Sequence, residues 1–443
     1  MNLDPLIFLF VFLGTLLIGG LSVVDARGVW QRLLLGGIYS GLWLYSGVGA
    51  TDPEVPGYYL IYYFSFLVAF ACAFWIFRVA FVHLSISRGH VITRVLGSVD
   101  CHPVWPMIIW AYLLLYLIPL IYPEFRLYQL LAPMAPNLTM NWAANWATKE
   151  INVFHKLLEY AQVLLTPFFY IALFRYRRRL GLIALIFVSL LYLQYVDISY
   201  ISRGTIIIEF ATIWLAIWVD RPNNRRALMA IMVALIPVVL AAAYYYSRIR
   251  IGGYVGDITS LDAIVRTLEV ETSFPHNVGI PVIESGETVD PAAYITWMLT
   301  LPIPKLLTGA IEGARINYEI SEIVLGLSPG QKGWYVVLPG LVAESVYIYG
   351  QYFFWLHAVF IAFLAALVIR LMERTPQLLF LLAYIVVIFA YVLNRGGISG
   401  LLIILINNFM LFYPFVFVCV FGLRGRRKPA EMLTRQVVKV SDK

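Results

Sequence analysis

Long apolar runs alternate with short polar breaks along nearly the whole chain. Runs over roughly 5–24, 33–50, 58–84, 104–122, 157–174, 181–200, 204–219, 228–247, 338–369, 377–394 and 398–423 are each near the length of about 20 helical residues that a bilayer core requires. The pattern predicts an all-α, polytopic integral membrane protein with about eleven transmembrane helices, forming one membrane domain over 1–443. The run over 338–369 is longer than a bilayer needs, and Leu338-Pro339-Gly340 predicts a re-entrant or membrane-surface turn at its start. The first run lacks a basic leader and a small-residue cleavage site, so it reads as a retained helix.

Two segments are too long for ordinary connections, 123–156 and 248–337. Connections of that length usually carry function or their own helices. The second contains YITWMLTLPIPK (294–305), an apolar stretch broken by Pro302 and Pro304. It is too short to span and too apolar for open water, which predicts short helices lying in the membrane interface.

Composition sharpens this picture. The chain is 61% hydrophobic and 13% charged, with a mean hydropathy of +0.81, which excludes a soluble domain. Charge then orients it. The basic clusters RYRRR (175–179), RPNNRR (221–226), RLMER (370–374) and RGRRK (424–428) fall on one side of an alternating bundle. By the positive-inside rule that side is the cytoplasm. The expectation is therefore a bacterial inner-membrane protein with its C-terminus cytoplasmic, its N-terminus periplasmic and both long loops outside. The net charge of +7 then reports anionic lipid at the inner leaflet, with no nucleic-acid partner. Cys72, Cys101 and Cys419 form no CxxC pair, and the histidines show no metal-ligand spacing, so neither a disulfide framework nor a zinc site is suggested.

Against that orientation, four arginines stand at outer helix ends: Arg203 in DISYISRGTIIIEF, Arg248 and Arg250 in YYYSRIRIGG, and Arg395 in YVLNRGGISG. Each either snorkels to headgroups or pairs with an acid, with Asp197 and Glu209 close to Arg203 in sequence. The other reading is that several converge on a polyanion, because the guanidinium fork grips phosphate oxygens bidentately. A lipid-linked pyrophosphate lies at that depth. Both Arg203-Gly204 and Arg395-Gly396 precede an apolar helix, whose N-terminal amides attract anions. Glu344 sits in an apolar run, where an acid is a functional candidate. It reads either as a structural partner for an arginine or as a general base. Tyr318, Trp334, Tyr335 and Tyr347, together with Tyr349, offer rings for sugar stacking or for an interfacial belt. His276 reads as a base or a solvated loop residue.

The arrangement resembles the O-antigen polymerase (Wzy-type) family of bacterial oligosaccharide repeat-unit polymerases, over roughly 195–410. The resemblance rests on Ser202-Arg203-Gly204 before an apolar helix, the arginines at 248 and 250, and the long outer loop with Ile303-Pro304 and its Gly/Pro-rich turn. Glu344 to Gly350 and the late Arg395 complete it. The family often has glycine before this acid and ends the segment in Asn-Phe-Gly, where this chain has Ala343 and Ile348-Tyr349-Gly350.

The resemblance implies a metal-independent glycosyltransferase of GT-C type, without cofactor, acting at the periplasmic face. Donor and acceptor would both be undecaprenyl-pyrophosphate-linked oligosaccharides, and undecaprenyl pyrophosphate would leave. In that scheme Arg203, Arg248 or Arg250, and Arg395 hold the pyrophosphate, and Glu344, with Asp197 second, takes the acceptor's proton. A chain-length regulator of the polysaccharide co-polymerase type is also implied as a partner. The rivals are an O-antigen ligase, another GT-C transferase with Asp52-Pro53-Glu54 as its acidic pair, and a flippase or transporter of an anionic lipid-linked sugar. Transporters tend to hold charge at the midplane on repeated broken helices. Here the conspicuous charges crowd one leaflet.

Overall fold

The computed structural model describes residues 4–81, 96, 99, 102–121, 153–198, 203–250, 260–301, 303, 315–331, 333–373 and 375–422. It is about 85% helical, and the described residues contain no strand. In chain order the helices are α1 (Pro5–Asp25), α2 (Val29–Leu42), α3 (Tyr58–Ala80), α4 (Val104–Ile121), α5 (Val153–Leu173), α6 (Leu180–Ile198), α7 (Arg203–Asp220) and α8 (Arg225–Arg250). There follow α9 (Ser260–Thr272), α10 (Ile280–Ser285), α11 (Pro291–Thr300), α12 (Ile316–Leu325), α13 (Leu341–Phe353), α14 (Trp355–Met372), α15 (Leu379–Ile403) and α16 (Phe412–Gly422). The loop expected over 123–156 lies outside the described residues up to 152.

Local chemistry sets several helix ends. Asp4 caps α1 by accepting from the amides of Leu6 and Ile7 at 2.9 and 3.2 Å, and Pro5 occupies the first turn, where a missing N–H costs nothing. At the basic ends, arginines bind peptide carbonyls. Arg225 donates to the Trp218 carbonyl at 3.2 Å, Arg370 to that of Phe81 at 3.2 Å, and Arg175 to that of Val99 at 3.3 Å. These satisfy acceptors that a helix end leaves open.

The outer surface is that of a membrane protein. Helix α1 exposes Leu6, Phe10, Leu13, Leu17 and Leu21, and α3 exposes Ile61, Trp75 and Ile76, a continuous apolar face that water would not tolerate. Among the described residues, five helical segments are long and apolar enough to cross a membrane: Pro5–Asp25, Val29–Thr51, Tyr58–Ala80, Leu157–Tyr176 and Pro376–Asn408. Val104–Leu117, Leu180–Gln194 and Trp355–Arg370 are shorter apolar helices. The protein is all-α and membrane-embedded.

Helix α15 runs through the centre. Its residues from Leu379 to Phe389 are buried on every side, the mark of a helix surrounded by protein. It packs against α2 and α7, while α14 packs on α3 and α4 on α5. The α2–α15 contact depends on small residues: a Cβ at Gly41 would collide with the Ala390 carbonyl and the Asn394 amide. Close backbone approach of this kind is a common route to helix association in lipid.

The late part of the chain departs from the expected spans. The run over 338–369 is two helices, because Gly350 (φ 73°, ψ 171°) breaks α13 near its end and α14 starts anew at Trp355. The expected turn between 394 and 398 is a break inside α15 at Gly397 (φ 70°, ψ −171°). The run over 398–423 is divided again by a widened turn at Ile404–Asn408 before α16 begins. Apolar periodicity is blind to the break at Gly397, since Gly396 and Ile398 on either side of it are both buried.

Candidate functional site

The break in α15 organises the site. A helix interrupted inside protein leaves the amides of its second half without partners. Here Glu344, in the first turn of α13 and 0% exposed, supplies them. Its carboxylate accepts from the Ile398 amide and, at 2.9 Å, from the Ser399 amide. A carboxylate at a helix N-terminus also gains from the helix dipole. Only glycine fits at 397, because its φ is positive and a Cβ there would overlap the Glu344 carboxylate. The Gly340 amide donates to the Arg395 carbonyl at 3.1 Å, tying the start of α13 to the other side of the break.

Behind Glu344 lies a buried pair. The Ser345 hydroxyl donates to the Leu341 carbonyl at 2.6 Å and lies 2.9 Å from His357 Nδ1. With the serine hydrogen committed to Leu341, Nδ1 is the donor in the second contact. That leaves His357 Nε2 3.9 Å from Glu344 Oε2, with both side chains fully buried. In front, Ser399 donates to Asn317 Oδ1 of α12 at 3.1 Å, so α12 is fastened to the break.

Arg395 stands two residues before Gly397 and is held from two sides. Its Nε lies 3.1 Å from Glu271 Oε2 of α9, and its Nη1 donates to the Tyr391 hydroxyl at 2.8 Å. Tyr391 is one turn earlier on α15, and its ring meets Tyr45, which in turn contacts Phe274. Arg395 is therefore paired with an acid far away in sequence.

The aromatic candidates gather about α12. Tyr318 on that helix lies 5.1 Å, centroid to centroid, from Trp334. Tyr347 on α13 donates its hydroxyl to Glu319 of α12 at 2.8 Å. Tyr335 is exposed beside Trp334. Tyr294 of α11 is mostly buried, and that burial pushes its phenol well above the usual tyrosine range, with the Glu344 charge adding to the effect.

Other candidates are placed differently. Arg203 opens α7, Arg248 and Arg250 close α8, and Asp197 lies in the last turn of α6; the side chains of these four lie outside the described residues. Glu209, offered by the sequence as a partner for Arg203, accepts from Gln194 of α6; its pairing with Arg203 lies outside the described residues. His276 is half exposed and 3.9 Å from Glu54. Glu344 touches no arginine among its described contacts, and both of its oxygens are committed to peptide amides, so its geometry is that of a positioning group. Glu271, Asn317 and His357 carry the site and were not singled out by sequence reasoning. The one available signal was His357, a polar residue at the start of the apolar run WLHAVF (355–360). Family models, curated proteins and solved structures yield no match to this chain.

Proposed function

We propose that this protein polymerises undecaprenyl-pyrophosphate-linked oligosaccharide repeat units at the outer face of the bacterial inner membrane. The observation that supports the reading most is the α15 break: it carries Arg395, and through Asn317 it is fastened to the helix that gathers Tyr318, Trp334 and Tyr347. An arginine for phosphate and rings for sugar are thereby joined by one short helix.

In the proposed reaction an acceptor sugar hydroxyl attacks the anomeric carbon of the donor chain. The bond from that carbon to the phosphate oxygen breaks, and undecaprenyl pyrophosphate leaves with the electron pair. Arg395 stabilises the charge that develops on the leaving group, the preorganised electrostatic role that usually contributes most to catalysis. Glu271 occupies its guanidinium as a resident anion, and the pyrophosphate takes that place on binding. Arg203, Arg248 and Arg250 belong to the same anion site in this scheme. With Glu344 held by the amides, the acceptor proton goes to Asp197. Glu344 then acts as a positioning residue, since it sets the break from which Arg395 projects.

The test is reconstitution of the purified protein in lipid with undecaprenyl-pyrophosphate-linked repeat units, with products resolved by mass. A ladder spaced by one repeat mass, with free undecaprenyl pyrophosphate, is the expected result. Transfer to a lipid A-core acceptor without a ladder would make it a ligase, and movement of the lipid between leaflets without transfer would make it a transporter.

A further inference from the structure

The interior holds a second buried acid that the proposed reaction does not use. Glu209 lies in the middle of α7 and is 7% exposed. It stands six residues after Arg203, about 9 Å along the helix at 1.5 Å per residue. Gln194 of α6, 8% exposed, donates Nε2 to Glu209 Oε1 at 2.7 Å. Glu209 Oε2 and Gln194 Oε1 are both buried and have no hydrogen-bond partner among the described residues.

The described surroundings are polar. Tyr116 of α4 places its hydroxyl 3.5 Å from Gln194 Nε2. Tyr112 of α4, Tyr170 of α5 and Tyr384 of α15 lie within electrostatic reach of the carboxyl. Thr212, fully buried, follows one turn later on α7. Among the described residues, no cationic side chain pairs with Glu209.

We propose that Glu209 and Gln194 form a membrane-buried site for one positive charge, a proton or an alkali cation. An ionised carboxylate with a single amide hydrogen bond is costly in apolar surroundings. One proton on Glu209 Oε2 removes the charge and supplies the donor that Gln194 Oε1 lacks, giving a reciprocal acid–amide pair. An alkali ion held by the same oxygens achieves the same neutralisation, because hard cations take oxygen ligands. Reversing the glutamine amide, a choice that coordinates alone do not fix, leads to the same place. Its oxygen would then face Glu209 Oε1 across the 2.7 Å contact, and two acceptors at that distance again require a shared positive charge. The bound charge joins α6 to α7, six residues beyond the start of α7 at Arg203. This inference does not depend on the polymerase reading.

The experiment uses the purified full-length protein in nanodiscs. Thermal unfolding is followed at fixed pH and ionic strength as sodium or potassium replaces choline, and infrared difference spectra compare wild type with Glu209→Gln. If the charge is an alkali ion, the melting temperature rises saturably with that ion and the response disappears in Glu209→Gln. If it is a proton, the melting temperature ignores the ion, and the wild type shows a protonated-carboxyl band at neutral pH that Glu209→Gln lacks. Gln194→Leu gives a second reading: it abolishes the ion response in the first case and shifts the carboxyl band in the second. An ion-independent melting temperature with no protonated-carboxyl band in the difference spectrum overturns the proposal.

Discussion

Glu344 and Glu209 are both carboxylates buried in an apolar protein, 0% and 7% exposed, yet they meet opposite surroundings. Glu344 lies against two peptide amides released by a break in α15. Backbone donors thus meet both of its oxygens. Glu209 lies in an unbroken helix, receives one amide hydrogen bond from Gln194 and keeps an oxygen with no partner among the described residues. An unbroken helix has no spare amides to offer, because each already bonds the carbonyl four residues back. A buried acid facing one must therefore find its compensation in a side chain, a proton or an ion. Charge type and burial do not separate the two; the backbone opposite each carboxylate does.

The comparison is broken most directly at Gly397. Gly397→Val combines a positive φ with a Cβ that overlaps Glu344, and the cost is about 2–6 kcal/mol from backbone strain and overpacking together. Denaturant or thermal unfolding in detergent measures it, and a variant as stable as wild type would mean the cap is loose. Glu344→Gln comes next. The glutamine turns an amide group toward one of the two peptide N–H donors, losing a charge-assisted hydrogen bond worth roughly 2–3 kcal/mol. The same unfolding experiment reads the loss, and rescue by no shorter acid, aspartate included, is expected because the reach would be short.

Arg395→Lys tests the function that the cap serves. It keeps the charge but loses the planar fork, so turnover in the reconstituted assay falls about 10- to 100-fold while the melting temperature barely changes. Full activity in Arg395→Lys would reduce that arginine to a partner for Glu271. Tyr347→Phe removes one hydrogen bond to Glu319 and costs about 1 kcal/mol, measured as a small drop in melting temperature. The smallest effect is Glu209→Gln. In choline buffer its neutral amide mimics the neutral acid, and stability stays within about 0.5 kcal/mol of wild type. Equal damage from Glu209→Gln and Glu344→Gln would end the distinction between the two sites.

Much of this molecule follows from the sequence alone. A bilayer has a fixed thickness and hydrocarbon offers no hydrogen bonds, so apolar runs such as 5–24 and 58–84 become the helices Pro5–Asp25 and Tyr58–Ala80. Arg395-Gly396-Gly397 was legible as a junction at an outer helix end, since arginine and glycine ahead of an apolar run offer an anion a close backbone approach at a helix start. Glu344 was legible as an exception, because an acid in an apolar run always demands an explanation. What answers that demand is not local. The amides of Ile398 and Ser399 are more than fifty residues from Glu344, and Glu271 reaches Arg395 from the segment before α10. Periodicity reports which face of a helix is apolar, whereas a partner across the fold depends on where two helices meet. Tertiary structure therefore decided that Glu344 caps a broken helix, that Arg395 meets Glu271, and that Glu209 meets Gln194.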